Sequence, residues 1–156
     1  IPIAARAANK AMPPYAVDLL EAAVGDLGGH DVVVLGAAYR GGVKETAFSG
    51  AHDLVAELAA RGAHPLVHDP LFSDDELRAI GFEPVAADVA PIGSIVQTEH
   101  EAYRDLASLD IGVGVVVIDG RNWVRGVPAG TRRVTIGRGE RVDASREAAG
   151  SLGSIA

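Results

Sequence analysis

The chain has 156 residues, and 48% of them are hydrophobic but only 4% aromatic, so Val, Ile, Leu and Ala must fill its core. That length fits one domain by the usual prior of about 100–200 residues each, and a formal net charge of -7 argues against nucleic acid as a general partner. Cysteine is absent, which excludes a disulfide framework, a thiolate metal site and a cysteine nucleophile in this chain and suits a cytoplasmic protein.

No apolar run approaches the ~18 residues of a membrane span, and no signal-peptide pattern opens the chain. The opening IPIAARAANKAMPPY lacks an initiator Met and reads as a helix already under way, as expected of a piece of a longer protein. Residues 3–12 predict the end of an Ala-rich helix that stops near Met12, because Pro13 and Pro14 cannot continue it. From Tyr15 to Leu27, Val17, Leu20, Val24 and Leu27 recur every three or four residues, giving a second helix ended by Gly28 and Gly29.

Residues 31–35 (DVVVL) form a β-branched run between glycines, the pattern of a strand buried on both faces. After a glycine turn, Ala51, Leu54, Val55, Leu58 and Ala59 mark a helix with Ser49 as N-cap and Gly62 past its end. HPLVH at 64–68 is the next strand, stopped by Asp69-Pro70. Ser73-Asp74-Asp75-Glu76 fits a capping box opening a helix that ends near Gly81.

Residues 83–85 read as a minor strand, 93–98 as a strand, 101–107 as a short helix, 113–118 as a strand and 133–136 as an edge strand. Beyond Gly137 the sequence is polar and rich in Gly, Ser and Ala, as in a flexible tail. Strands alternating with helices of this length predict an α/β fold of three layers, Rossmann-like and doubly wound around a mostly parallel sheet.

The stretch VVVLGAAYRGGVKETAFSG opens like a dinucleotide-binding turn, which requires G-x-G-x-x-G after the first strand. Its glycines are Gly36, Gly41 and Gly42, so the spacing fails at the second position. An acidic ribose ligand belongs ~20 residues on, whereas Asp69 stands 33 residues past Gly36. The place still matters, because open parallel sheets bind ligands beyond the C-terminal ends of their strands.

Tyr39-Arg40 follows the first strand, and Asp119-Gly120-Arg121-Asn122 follows the strand at 113–118. Two readings stand: Arg40 and Arg121 converge on a phosphate or other anion, or they are solvated loop residues. His64 and His68 would lie two pleats apart on one strand face, ~13 Å, too far to share an ion. His30, His52 and His100 lack a partner at a ligand spacing, so no metal is expected.

Asp69-Pro70 ends a strand, or frames a pocket. Glu99-His100-Glu101 resembles an acid/base cluster, although Glu101 at a helix start equally favours the helix N-terminus. Trp123, beside DGRN, either covers the sheet edge or serves as an intrinsic probe of ligand closure. No G-x-S-x-G elbow or P-loop is present.

Taken in order, GAAYRGGVKETAFSGA, RGAHPLVHDP, TEHEAYRDL and VVIDGRN resemble the C-terminal UDP-binding domain of the UDP-glucose/GDP-mannose (nucleotide-sugar) dehydrogenase family. NKAMPPYAVDLL is similar to the junction between that family's central dimerisation helix and this domain. The resemblance divides the chain into the helix end and junction at 1–14, the UDP-binding domain at 15–137 and a tail at 138–156.

It implies a cytoplasmic, NAD-dependent enzyme of polysaccharide biosynthesis that oxidises the C6 alcohol of a UDP-sugar to a carboxylate, working as a homodimer. The NAD fingerprint and the catalytic cysteine belong to regions absent here, so this piece alone should be inactive. On the same basis, Tyr39 and Arg40 take the place of the aromatic-basic pair bordering the nucleotide sugar. Arg121 is the basic residue of the DGR motif reaching it.

Ala47 stands where many members carry an arginine approaching the NAD pyrophosphate, which leaves Lys44 as the residue that could partly replace it. The form GGVKETAFSG resembles the UDP-N-acetyl-D-mannosamine branch, with UDP-glucose as the alternative substrate. A stand-alone nucleotide-binding or interaction module is the alternative from another class.

Overall fold

A computed structural model describes residues 3–47 and 49–136, with side chains from Met12 onward. Strand β1 (Asp31–Leu35) lies inside the sheet, and its Val32, Val33, Val34 and Leu35 are fully buried. A continuous β-branched run serves such a strand because neither of its faces reaches water. Around it stand β2 (His64–His68), β3 (Gly93–Val96), β4 (Val116–Asp119) and the edge strand β5 (Arg132–Thr135).

The order is β2-β1-β3-β4-β5, and every neighbouring pair is parallel. The fold is therefore a Rossmann-like α/β domain. Its strand order reverses between β1 and β3, the position where open parallel sheets form a ligand crevice.

Side chains alternate across the sheet with a period of two. Val32, Val34, Ile95 and Ile118 join Val17, Leu20, Leu54 and Leu58 on the face covered by α1 (Ile3–Val24) and α2 (Ala51–Ala60). Val33, Leu35, Val96 and Val117 meet Tyr103, Leu106, Val113 and Val124 on the other face. There the helix expected at 101–107 is replaced by 3-10 turns at Glu101–Tyr103 and Leu106–Ser108. Asp105 divides them, with its carboxylate accepting from Ala107 N–H and Ser108 Oγ.

Helix α1 does not stop at Met12, but runs through Pro13 and Pro14 to Val24. Each proline withholds a helix N–H, which costs up to about 3 kcal/mol in an isolated helix. Packing of Ala16, Val17 and Leu20 opposes that cost, together with Arg61 at the end of α2. Its guanidinium reaches Asp18 and Glu21 at 2.7 Å, Glu57 at 2.8 Å and the Pro14 carbonyl at 3.3 Å.

The helix also ends before Gly28-Gly29, at Gly25 with φ +86°, a conformation that favours glycine. At α2 the N-cap position belongs to Gly50 rather than Ser49, whose Oγ accepts from Ala51 N–H at 3.1 Å. A Cβ on Gly50 would meet Gln97 Nε2 at 2.9 Å, the far end of a flexible side chain that can move aside.

The capping box at Ser73 and Glu76 forms as expected and opens α3 (Asp74–Ala79). Residues 83–85 make only a bridge between Pro84 and Val67. Gln97 and Thr98 leave β3 by both donating to the Leu35 carbonyl, and β4 starts at Val116 because Gly114, at φ +81°, turns the chain against Gly93. The expected tail at 138–156 lies outside the described residues.

Candidate functional site

Beyond the C-terminal ends of β3 and β4 lies a cleft of about 510 Å³, at the point where the strand order reverses. One wall is α1 at Met12, Pro13 and Ala16, and another is the start of α2 at Gly50, Asp53 and Leu54. Tyr39 comes in from the turn after β1, Gln97 from the end of β3, and Arg121 from the turn after β4. A smaller hollow of about 350 Å³ beside Pro14, Asp53 and Glu57 lies away from the strand ends and offers no cation.

Arg121 is held from its stem. Its Nε donates to the Gln97 carbonyl at 2.9 Å and stands 3.5 Å from Glu99 Oε2, leaving the two terminal nitrogens without a partner among the described residues. Asp119, fully buried at the end of β4, shapes the turn beneath it. Its carboxylate accepts from the backbone N–H groups of Arg121, Trp123 and Val124.

Tyr39 is half exposed and lines the same cleft. Arg40, next to it, is exposed and makes no ion pair with a described residue. Lys44 stands apart from the cleft lining. Its Nζ is 2.5 Å from Glu76 Oε1 and 5.3 Å above the Phe72 ring. The structure thus brings Tyr39 and Arg121 together and ties Lys44 to α3.

The sequence did not reveal the polar network under the turn after β1. Asp69, at the end of β2, is buried, and its Oδ2 accepts from Ala37 N–H at 2.8 Å, Ala38 N–H at 3.1 Å and His100 Nε2 at 2.9 Å. Burial alone would raise its pKa, but hydrogen bonds from His100, Leu71 and Ala37 outweigh this and hold the carboxyl below its ordinary range.

Nearby, Tyr103 donates to the His68 carbonyl at 2.8 Å and sits 2.9 Å from His68 Nδ1. Burial pushes the Tyr103 hydroxyl well above its ordinary value and lowers His68. Asp69-Pro70 had offered a hint of a framed pocket, but its partner His100 is distant in sequence and carried no spacing signal.

These contacts decide whether the turn suits a dinucleotide. A pyrophosphate cradle needs free backbone amides and the room left by glycines. Here Asp69 takes the amides of Ala37 and Ala38, Glu99 takes Gly41, and His100 takes Gly42. A Cβ at Gly36 would strike Thr98, and one at Gly41 would strike the Glu99 carbonyl. Gly36 and Gly41 serve loop-to-loop packing and Gly42 a φ of +74°, and the turn does not fit the NAD pyrophosphate.

No group of His, Asp or Glu suited to a metal ion occurs among the described residues. Within them, no helix is long and apolar enough to cross a membrane.

A parallel sheet with a cleft at its switch point, bordered by an aromatic ring and an anchored arginine, defines a ligand-binding α/β domain. A sequence model of the UDP-glucose/GDP-mannose dehydrogenase family, UDP binding domain, matches residues 33–126, and the chain belongs to that family.

Among solved structures, a UDP-glucose dehydrogenase from Pyrobaculum islandicum is 33% identical, with a TM-score of 0.59 over 72% of this chain and 26% of its own. A UDP-D-ManNAc dehydrogenase from Pyrococcus horikoshii is 26% identical, with a TM-score of 0.62 over 82% of this chain and 31% of its own. A UDP-N-acetyl-mannosamine dehydrogenase from S. aureus, at 21% identity and a TM-score of 0.62, covers 80% of this chain and 30% of its own, and supports the fold alone. The chain therefore spans less than a third of the length of these structures. No curated protein matched it.

Proposed function

We propose that this chain supplies the UDP-holding part of an NAD-dependent nucleotide-sugar 6-dehydrogenase that converts UDP-N-acetyl-D-mannosamine to its uronate. The observation carrying this reading is the convergence of Tyr39 and Arg121 on the cleft at the sheet's switch point. The free end of the Arg121 guanidinium can meet the diphosphate in a bidentate manner. Tyr39 gives the nucleotide sugar a planar wall, and exposed Arg40 adds positive charge beside it.

The chain has no cysteine and its glycine turn rejects a dinucleotide, so nucleophile and NAD belong to the remainder of the enzyme, a homodimer. NAD supplies the hydride acceptor there. The work of this domain is positioning, in which an ångström of misplacement costs about 100-fold in rate. In this assignment Lys44 is the one residue offered toward the cofactor, and reaching it requires release from Glu76.

UDP-glucose is the second reading, favoured by the 33% identity to a UDP-glucose dehydrogenase. NADH formation by the full-length enzyme with each sugar nucleotide decides between them. Turnover of UDP-glucose with rejection of UDP-N-acetylmannosamine would replace the first reading by the second. An upstream reading frame without G-x-G-x-x-G and a cysteine-bearing segment would leave the chain a non-catalytic binding module.

A further inference from the structure

Glu99 and His100 follow β3 and stand between the turn carrying Tyr39-Arg40 and the turn carrying Arg121. Each touches both. Glu99 Oε1 accepts from Gly41 N–H at 3.3 Å, while its Oε2 faces Arg121 Nε at 3.5 Å, an ion pair rather than a good hydrogen bond. His100 Nδ1 accepts from Gly42 N–H at 3.1 Å, which places the ring proton on Nε2, where it donates to Asp69. The His100 carbonyl accepts from Trp123 Nε1 at 2.7 Å, two residues beyond Arg121.

Neither residue lines the cleft, and His100 is 2% exposed, so any influence on a ligand must pass through the turns. We propose that Glu99-His100 is the positioning element of the nucleotide site, with His100 the tie that sets the Tyr39-Arg40 turn against the Arg121 turn through Gly42 and Trp123. This rests on the assignment of Tyr39, Arg40 and Arg121 to UDP.

The physical reason is preorganisation. Segments between strands and helices lie at the low-stability end of a fold, and a ligand that needs two of them must otherwise pay to order both on binding. The Gly42 and Trp123 contacts do that ordering in advance, through one buried side chain and its own carbonyl.

The test is calorimetric titration of UDP into the 156-residue chain and its variants. Asn at position 100 places an amide oxygen near the Nδ1 site, keeping an acceptor for Gly42. It releases Asp69, which retains the donors Ala37, Ala38 and Leu71. Gln places an amide nitrogen near the Nε2 site, keeping the Asp69 contact and leaving Gly42 N–H unpaired.

Positioning through Gly42 predicts His100→Asn within about 3-fold of the wild type and His100→Gln about 10-fold weaker. A role confined to satisfying Asp69 gives the reverse order, which overturns the proposal. Trp123→Phe acts from the other turn and removes the indole donor. It should speed amide exchange at Gly42 and weaken UDP several-fold, and it decides the matter if a His100 variant fails to fold.

Unchanged affinity and unchanged Gly42 exchange in Trp123→Phe overturn the coupling. Arg121→Ala separates the two levels of the argument. If it binds UDP as the wild type does, the UDP assignment fails and the proposal with it. If it is weakened while the His100 and Trp123 variants match the wild type, the positioning role alone fails.

Discussion

Asp69→Asn tests the central physical claim, that a buried carboxylate organises the turn after β1. One oxygen accepts from Ala37, Ala38 and His100 and the other from Leu71. Asparagine has one acceptor oxygen, and turning its NH2 toward Ala37, Ala38 and His100 would oppose three donors. The favoured flip therefore keeps the oxygen there and sets the NH2 against the Leu71 N–H.

That orphaned donor costs about 1–3 kcal/mol, and each of the other bonds loses roughly 1 kcal/mol with its charge assistance, for about 4–6 kcal/mol altogether. In a domain of this size each kcal/mol moves the melting temperature by about 2–8 °C, so the variant should melt at least about 8 °C lower at pH 7. Circular dichroism on heating measures this.

The pH dependence gives a second reading of the same claim. A carboxyl whose folded pKa is depressed below 3.8 contributes stability that is present above 3.8 and lost as pH falls through the lower folded value. The gap between wild type and variant should therefore narrow on acidification below 3.8. A variant melting within about 2 °C of the wild type at pH 7 refutes the argument. A gap unchanged in acid refutes its electrostatic part.

Gly41→Ala would drive a Cβ into the Glu99 carbonyl, and since backbone must yield there it should cost about 1–3 kcal/mol and weaken UDP, as read by denaturant midpoint and calorimetry. Burial lowers the His68 pKa, so the unfolded chain binds the extra proton first and stability should decline as pH falls from 6.5 toward the folded value. The decline has a limiting slope of about 1.4 kcal/mol per pH unit, and melting curves should show that slope flattened in His68→Asn. Arg61→Met keeps the aliphatic stem but releases Asp18, Glu21, Glu57 and the Pro14 carbonyl, so it should lower stability by about 1–2 kcal/mol and speed amide exchange in α1 first.

Features governed by neighbours in sequence were legible. The β-branched run at 31–35 announced a strand buried on both faces, 93–98 read as a strand that the structure ends at Val96, and Ser73 with Glu76 announced a capping box, because each depends on residues a few positions apart. Where distant partners decide, local rules failed. Pro13-Pro14 reads as a helix stop, yet Arg61 and the sheet hold α1 together across it.

At the site, the order of strands and turns put the Tyr39-Arg40 turn and Arg121 near one rim and left open whether the two arginines converge; Tyr39 and Arg121 line the cleft, and Arg40 does not. The Asp69-His100 pair was hidden because residues 31 positions apart meet only when β3 comes to lie beside β1. Lys44 looked free in sequence for the same reason, since its partner Glu76 arrives with α3.

The occupied amides also constrain how any phosphate can be held. A cradle made of backbone N–H groups tolerates side-chain substitution, because its donors belong to the main chain. In this turn the amides of Ala37, Ala38, Gly41 and Gly42 are taken by Asp69, Glu99 and His100, so these four positions offer a phosphate no free donor.

Arg121 is the cation present in the cleft wall, and its Nε is already committed to the Gln97 carbonyl. A diphosphate there depends on one fork of two nitrogens, in a setting where Asp53 and Glu99 carry the opposite charge close by. Binding should accordingly collapse in Arg121→Ala and weaken when Lys replaces Arg, since an ammonium cannot reproduce the bidentate geometry. Added salt should weaken it further, because the cleft opens to solvent where charges more than about 8 Å apart are screened at physiological ionic strength. A site whose affinity survives all three changes would have to draw on donors other than the arginine fork.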